Sequence, residues 1–302
     1  MSYHPRWDVE GRDWPNRSAS RFVDAGQLRW HVQLMGNGPP LLLLHGTGAA
    51  THSWRTLMPL LAAHFTVIAP DMPGHGFTSG RPPGGLAMTA MARAVGGLMT
   101  AMDLSPRCIV GHSAGAAVAL RMVADGHAQP DCVVGLNAAL MPFPGIAARL
   151  FPTLAKLLFV NPFAPSIFAR MARDPADVAK FLARSTGSRI DAAGVRHYAA
   201  LFATPGHCSA AITMMADWDL PSLQAALPGI TVPVLLAHGQ GDSAIPAKDA
   251  QAAAAIMPNA DMTILSGLGH LAHEEAPERI AAIIADHAMQ LDQREEKSRE
   301  PR

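Results

Sequence analysis

The order of apolar and polar positions along the chain predicts short buried strands that alternate with helices. The strands predicted from continuous apolar runs in the first half are Pro40–His45, Phe65–Ala69, Arg107–Gly111 and Asp131–Leu136. The helices predicted between and after them are Ser53–His64, Met88–Asp103 and Ser113–Asp125. Strands that are apolar on both faces and are separated by helices are typical of a parallel sheet covered on both sides. A hairpin, Arg21–Asp24 with Gln27–Leu34, is expected to open the sheet.

The alternation stops at about residue 140 and resumes near residue 229. Helical patches broken by prolines, from Pro142 to Pro205, fill this interval, which predicts a helical lid inserted between two strands of the core. The alternation returns with strand Val232–His238, helix Pro246–Ile256, strand Asp261–Leu265 and helix Pro277–Met289. The predicted division is therefore core 1–139, lid 140–228, core 229–290, and a frayed charged tail at 291–302. The fold class is α/β, a mostly parallel, doubly wound sheet with an inserted lid.

Gly111-His-Ser-Ala-Gly115 places Ser113 between a short apolar strand and an Ala-rich helix. A G-x-S-x-G pattern between a strand and a helix is typical of a nucleophile elbow, in which a strained turn exposes the serine hydroxyl. The simpler interpretation is a turn of small residues that packs a helix onto a strand. The rest of the chain favours the elbow, because it supplies a candidate base and a candidate acid.

A nucleophilic serine needs a base, an acid that orients the base, and donors for an oxyanion. His270, in a glycine-rich loop after the last strand, is the expected base. His273 is the competing candidate; if it is not the base, we expect it to make a lid or surface contact. Asp242 follows strand Val232–His238 and precedes His270, the order that this type of triad requires. The simpler interpretation of Asp242 is a turn aspartate that bonds its own backbone. In some proteins with this type of triad the acid lies at the end of the preceding strand, here Asp131–Leu136. This chain has Asn137 at that position.

The oxyanion donors are expected to be the backbone N–H groups of Thr47 and Ala114. Ala114 follows the serine directly, and Thr47 lies in His45-Gly-Thr-Gly48 after the leucine-rich strand. The Thr47 hydroxyl is a candidate third donor. The loop Asp71-Met-Pro-Gly-His-Gly76 is interpreted as structural, with His75 satisfied locally. No metal site and no cofactor are expected.

Composition limits the other possibilities. The 302 residues carry 24 basic and 24 acidic side chains, 49% are apolar and 16% are charged, so no nucleic-acid partner is expected. The three cysteines lack zinc-type spacing and are predicted to be free thiols. Neither a signal peptide nor a membrane-spanning run is evident, which predicts a cytoplasmic protein, with a peripheral membrane contact through Leu150–Val160 as a weaker option.

Taken together, His45-Gly-Thr-Gly, Asp71-x-Pro-Gly-His-Gly, Gly111-His-Ser-Ala-Gly, Asp242 and Gly-His270 resemble the α/β-hydrolase superfamily over almost the whole chain. Its dehalogenases and epoxide hydrolases use an aspartate nucleophile, so Ser113 argues against those activities. Further stretches resemble the magnesium-chelatase accessory proteins of bacteriochlorophyll biosynthesis. These stretches are Asn16–Gln33, Leu44–Trp54, Met214–Leu220 and Gly267–Glu275.

The closer resemblance implies a role around magnesium insertion into protoporphyrin IX, with chelatase subunits as candidate partners. Trp54, Met214 and Trp218 lie in the matching stretches and are the candidate substrate-binding residues. The predicted lid holds eight basic residues, among them Arg149, against five aspartates, and it is rich in Phe and Met. A pocket with apolar walls and a few cations suits a porphyrin that carries carboxylates. A lid whose apolar side chains only pack its own core would have the same composition. Two alternatives remain open: a non-catalytic accessory or porphyrin-binding protein, and a general carboxylesterase unrelated to pigment.

Overall fold

The described residues form a mixed nine-stranded sheet with helices on both faces. The computed structural model describes residues 3–141, 166, 169–170 and 172–299, with side chains to residue 289. The described strands are β1 (Ser20–Ala25), β2 (Leu28–Met35), β3 (Pro40–Leu44), β4 (Thr66–Pro70), β5 (Ser79–Gly80), β6 (Cys108–His112), β7 (Cys132–Leu136), β8 (Val234–Gly239) and β9 (Ala260–Leu265). The described α-helices are α1 (Leu57–Leu61), α2 (Met88–Ala101), α3 (Ala114–Ala124), α4 (Pro175–Thr186), α5 (Ala192–Phe202), α6 (Pro205–Ala216), α7 (Leu220–Ala226), α8 (Ala247–Ile256), α9 (Ala272–Glu275) and α10 (Pro277–Arg299).

The strands lie in the order β1-β2-β4-β3-β6-β7-β8-β9, with β5 paired to β2. The pairs β1–β2 and β2–β4 are antiparallel, and every pair from β4 across to β9 is parallel. The predicted α/β-hydrolase fold is confirmed. Because β3, β6, β7, β8 and β9 run in one direction, the loops after them meet at one edge of the sheet.

The core lies on both faces of the sheet. Successive residues of β3 alternate between the faces: Leu42 and Leu44 pack with Ile109 on one side, and Leu41 and Leu43 pack with Val110 on the other. All four leucines are fully buried. Burial on both faces is the reason that the central strands read as continuous apolar runs rather than as alternating ones.

Helices α4–α7 lie in the chain between β7 and β8, which confirms a helical insertion at the predicted place. Side chains of α4 and α5 form a cluster with Trp14, from the N-terminal segment, and with Leu271, beside the predicted base. The exact limits 140 and 228 stay predictions, since residues 142–165 lie outside the described part of the chain. The predicted contact through Leu150–Val160 and the predicted role of Arg149 lie outside it as well.

Two predicted elements differ from the structure. The predicted helix 53–64 is a 3₁₀ turn, Thr51–Trp54, followed by the short helix α1. The Thr51 N–H donates to Asp71 Oδ1 at 2.7 Å, a long-range contact that the local pattern does not reveal. The predicted frayed tail is helical through residue 299, because its Glu, Arg, Gln and Lys residues favour helix and no proline occurs before Pro301. None of the described helices has the length and apolar character needed to cross a membrane.

Candidate active site

Ser113 occupies a sharp turn between β6 and α3. Its backbone has φ 52° and ψ −115°, a positive φ that non-glycine residues seldom adopt. The Ser113 N–H donates to the Leu136 C=O at 2.9 Å, and its C=O accepts from the N–H groups of Ala116 and Ala139. The side chain does not cap α3. The strained turn therefore keeps the hydroxyl out of the helix's own hydrogen bonding.

The two glycines of the motif are required by close packing. A Cβ on Gly111 would lie 2.4 Å from the backbone N of Ala116, and a Cβ on Gly115 would lie 2.1 Å from the Leu44 carbonyl oxygen. Both separations are shorter than carbon can approach a backbone atom. The glycines thus serve helix–strand packing, as the simpler interpretation held, and this packing forms the turn that presents Ser113.

Asp242 and His270, from the loops after β8 and β9, form a buried hydrogen-bonded pair. His270 Nδ1 lies 2.7 Å from Asp242 Oδ2, and the Asp242 side chain is 1% exposed. A carboxylate only accepts hydrogen bonds, so Nδ1 carries the proton and Nε2 is left as the acceptor. Asp242 Oδ1 accepts from the N–H groups of Ala244 and Ile245 at 2.7 and 2.9 Å. The turn bonding of the simpler interpretation is present, and Oδ2 remains for the histidine.

The surroundings of Asp242 favour its charged form. Burial acts to raise the pKa of this carboxyl, and the hydrogen bond and charge of His270 are the largest effects that lower it. The N–H of Ile245 and the side-chain amide of Asn137 act in the same direction, and the pKa of Asp242 lies below its usual value. An ionised acid can orient an imidazole and stabilise its protonated form.

The loop after β3 lies against the elbow. A Cβ on Gly46 would be 3.2 Å from Ser113 Cβ, so the loop carrying Thr47 borders the candidate nucleophile. Within the described residues, the backbone N–H groups of Thr47 and Ala114 donate to no other group. Two free N–H groups beside a nucleophile are what an oxyanion site needs. The Thr47 hydroxyl, the candidate third donor, points to the Met214 sulfur at 3.5 Å.

Of the three candidate substrate-binding residues, Met214 contacts the Thr47 hydroxyl but is itself fully buried. Trp218 is half-buried and packs against the same core cluster as Met214. Trp54 is fully buried and stacks on His273 with ring centroids 4.6 Å apart. Trp54 has no surface to offer a substrate, because its position in the 3₁₀ turn Thr51–Trp54 directs it into the core.

Neither of the other two candidate histidines is placed as a base. His273 is buried, against the expectation of a lid or surface contact, and burial holds its pKa well below the usual value. His75 is also buried, and its Nδ1 lies 3.1 Å from the Pro73 carbonyl, in line with the structural interpretation of its loop. Within the described chain no three His, Cys, Asp or Glu side chains are grouped so as to hold a metal ion.

Several residues that the sequence did not reveal hold the His270 loop. The Thr186 carbonyl, at the end of α4, accepts from the His270 N–H at 2.9 Å. Glu275 Oε2 accepts from the Gly269 N–H at 2.7 Å and from the Ser188 hydroxyl at 2.8 Å, and Ser188 Oγ accepts from the Leu271 N–H. The insertion therefore helps to position the candidate base. No local signal marked Ser188, because its partners are more than 80 residues away along the chain.

His112 and Asn137 also support the pair from the neighbouring strands. His112, the residue before Ser113, has its Nε2 2.9 Å from the His270 carbonyl. Burial lowers the pKa of His112 to about 3, so its ring stays neutral and Nε2–H is the donor. The Asn137 amide donates to Asp242 Oδ2 at 2.8 Å. From the sequence, Asn137 was noted only because it stands where some triads of this type carry their acid.

Comparisons with known proteins give matches over most of the chain. Residues 41–283 match the model of the Alpha/beta hydrolase family. The chain is 40% identical over 276 residues to the magnesium-chelatase 30 kDa subunit of Rhodobacter capsulatus, a match that covers 91% of this chain and 96% of that protein. It is 27% identical over 266 residues to a 2-(acetamidomethylene)succinate hydrolase of Mesorhizobium japonicum, covering 86% of this chain and 91% of that protein.

Among solved structures, a thermophilic esterase of Thermogutta terrifontis has a TM-score of 0.72 to this chain. The two are 22% identical, and the match covers 90% of this chain and 99% of the esterase. At this level of identity the likeness is one of fold.

Proposed function

Because the chain belongs to the α/β-hydrolase family, we propose that it is a serine hydrolase that acts in bacteriochlorophyll biosynthesis, around magnesium insertion into protoporphyrin IX. The observation that carries the hydrolase activity is the 2.7 Å bond between His270 Nδ1 and Asp242 Oδ2 at the sheet edge that holds Ser113. The observation that carries the pathway is the similarity to the magnesium-chelatase 30 kDa subunit of Rhodobacter capsulatus.

In the proposed reaction, the Ser113 hydroxyl attacks an ester-like carbonyl while His270 Nε2 takes its proton. Asp242 holds the ring and stabilises the imidazolium that forms. The N–H groups of Thr47 and Ala114 bind the oxyanion of the tetrahedral intermediate. His270 then protonates the leaving alcohol, and an acyl group remains on Ser113. Water, activated by His270, hydrolyses this acyl-enzyme and restores the free serine.

A fluorophosphonate probe tests the enzyme proposal, because it reacts with activated serines. We expect intact-mass spectra of the folded protein to show one adduct on Ser113. Ser113→Ala and His270→Ala should abolish labelling, since one lacks the nucleophile and the other lacks the base. Ser266→Ala is the matched control: Ser266 lies at the same edge, bonded to Gln240 at 3.0 Å, and its loss should not change labelling. Folded wild-type protein without an adduct would leave the non-catalytic accessory protein as the better proposal.

The substrate proposal is a porphyrin bound over the elbow, next to Met214. Burial of the ring would supply most of the affinity, at roughly 25 cal/mol per Å² of apolar surface before ordering costs are subtracted. Pairing of its carboxylates with exposed arginines would mainly set orientation, since such pairs contribute ~0–1 kcal/mol each.

Titration with protoporphyrin IX and its magnesium form, followed by Soret shift and tryptophan quenching, tests this binding. We expect saturation with a Kd on the order of 1 μM, about −8 kcal/mol. Trp218→Ala should weaken it several-fold, since Trp218 is only half-buried. Leu60→Ala, on the exposed side of α1, is the control and should leave the Kd unchanged. Binding that is no tighter than to nonspecific sites like those of serum albumin, or that Trp218→Ala leaves unchanged, would favour the general carboxylesterase.

A further inference from the structure

Asn137 is the first residue after β7; it bonds the proposed acid and the loop of the proposed base, and residues on either side of it bond the serine elbow. Its neighbours in sequence bond the elbow: the Leu136 C=O accepts from the Ser113 N–H at 2.9 Å, and the Ala139 N–H donates to the Ser113 C=O at 3.2 Å. Its side-chain amide donates to Asp242 Oδ2 at 2.8 Å and to the Gly269 C=O at 3.3 Å. Gly269 directly precedes the proposed base.

The backbone of Asn137 is held in an unusual conformation. Its φ is 48°, in the left-handed region that few residues other than glycine adopt, although asparagine tolerates it better than most. Its N–H donates to the Ala237 C=O at 2.9 Å, and the residue is fully buried. Strained conformations of this kind persist where surrounding contacts determine them, and they are concentrated at functional sites.

The amide of Asn137 has one orientation that fits its surroundings. Its two N–H groups face two acceptors, the Asp242 carboxylate and the Gly269 carbonyl, while Oδ1 is buried with no partner among the described residues. The flipped amide would direct Oδ1 at these oxygens and lose both bonds. The chain therefore leaves one buried acceptor unsatisfied in order to keep both donors on the acid and on the base loop.

We propose that Asn137 is a positioning residue that holds the acid Asp242 against His270 and ties both to the serine elbow. This role rests on the proposed serine-hydrolase function, because it acts through Asp242 and His270 and not on the substrate. It explains why a buried asparagine occupies the end of β7. A donor at this point restrains the carboxylate, whereas a second carboxylate would repel it.

Two variants separate the amide from the backbone. Asn137→Gly adopts φ 48° without strain and removes the side-chain amide together with Cβ. We expect the rate of fluorophosphonate labelling to fall about ten- to hundredfold, the usual worth of a hydrogen bond to a charged group. Asn137→Asp keeps the size of the side chain and places a second carboxylate beside Asp242. The two carboxylates then share a proton, and labelling should fall further.

The pH dependence distinguishes positioning from simple loss of structure. Loss of the Asn137 donor leaves the Asp242 carboxylate more basic, so the Asp242–His270 pair binds its proton at higher pH. The acidic limb of the labelling rate should therefore move to higher pH in Asn137→Gly, and further in Asn137→Asp. The titratable groups that face the pair or its loop from β6, β8 and α9 are His112, His238, His273 and Glu275, and both variants leave them unchanged.

A double-mutant cycle provides the decisive comparison. If Asn137 acts through Asp242, Asn137→Gly should cost little once Asp242→Asn is already present. An equal loss in both backgrounds would overturn the proposal, as would a wild-type labelling rate and an unshifted acidic limb in Asn137→Gly.

NMR titration of the His270 ring gives a readout that needs no catalysis, with the signal assigned by its absence in His270→Ala. A raised pKa of His270 in Asn137→Gly supports the positioning role even if wild-type protein is not labelled, which is the result that would refute the hydrolase proposal. An unchanged His270 titration in a protein that labels normally refutes the positioning role alone.

Discussion

Asp242→Asn is expected to lower the turnover of Ser113 chemistry about 10⁴-fold, the loss seen when a triad acid is replaced by its amide. The hydrogen bonds around Asp242 show why. The Ala244 and Ile245 N–H groups donate to one side of the carboxyl, so the carbonyl oxygen of the introduced asparagine is held there. Its NH₂ group then faces His270 Nδ1 and the Asn137 amide, both of which donate in the wild type. His270 is forced into the other tautomer, with its proton on Nε2, and cannot accept one from Ser113.

The measurement is the rate of fluorophosphonate labelling, or of ester turnover once a substrate is known. Circular dichroism and urea unfolding should show that the variant folds. Asp261→Asn, at an exposed aspartate on β9, is the matched control and should keep the wild-type rate. A rate within a few-fold of wild type in Asp242→Asn would mean that another carboxylate orients His270.

Asp71→Asn is expected to have the largest effect on stability, about 3–5 kcal/mol in the free energy of unfolding. Asp71 is fully buried after β4. Its Oδ2 accepts from His31 Nδ1 and the Phe77 N–H, both at 2.8 Å, and its Oδ1 accepts from the Thr51 N–H at 2.7 Å. An asparagine can accept on one side only, so its NH₂ group would meet a donor and leave it without a partner.

Urea unfolding across pH checks this prediction and its sign. Burial acts to raise the pKa of Asp71, but the charge and hydrogen bond of His31, with further contributions from His45 and the Phe77 N–H, hold it well below its usual value. Its contribution to stability is therefore full above the unfolded pKa of about 4 and is lost as the pH falls below that value. The difference in the free energy of unfolding between the wild type and Asp71→Asn should therefore shrink in acid.

Asp177→Asn removes an exposed partner of Lys180 and should change stability by less than about 1 kcal/mol at any pH. A loss of that small size in Asp71→Asn at neutral pH would contradict the role given to the buried aspartate.

Much of the fold followed from local sequence because its signals are local. A strand buried on both faces must be apolar throughout, as Leu41–Leu44 are, and a tight elbow requires small residues at fixed spacing, as at Gly111 and Gly115. Chain order after successive parallel strands placed Asp242 and His270 at one edge. These features depend on the backbone and its nearest neighbours, so one sequence is enough to predict them.

Other features depended on contacts that no local pattern encodes. Trp54 lies in a motif near the site, yet it is fully buried in a turn whose first residue, Thr51, bonds Asp71 across 20 residues. The sequence showed Asn137 only as an asparagine at a position where a triad acid could have stood. The fold shows that its amide donates to Asp242 and Gly269. Ser188 and Glu275 hold the His270 loop across more than 80 residues. The sequence by itself determined the sheet, its turns and the candidate triad; tertiary structure decided which polar groups face that triad, because each such bond joins segments that only folding brings together.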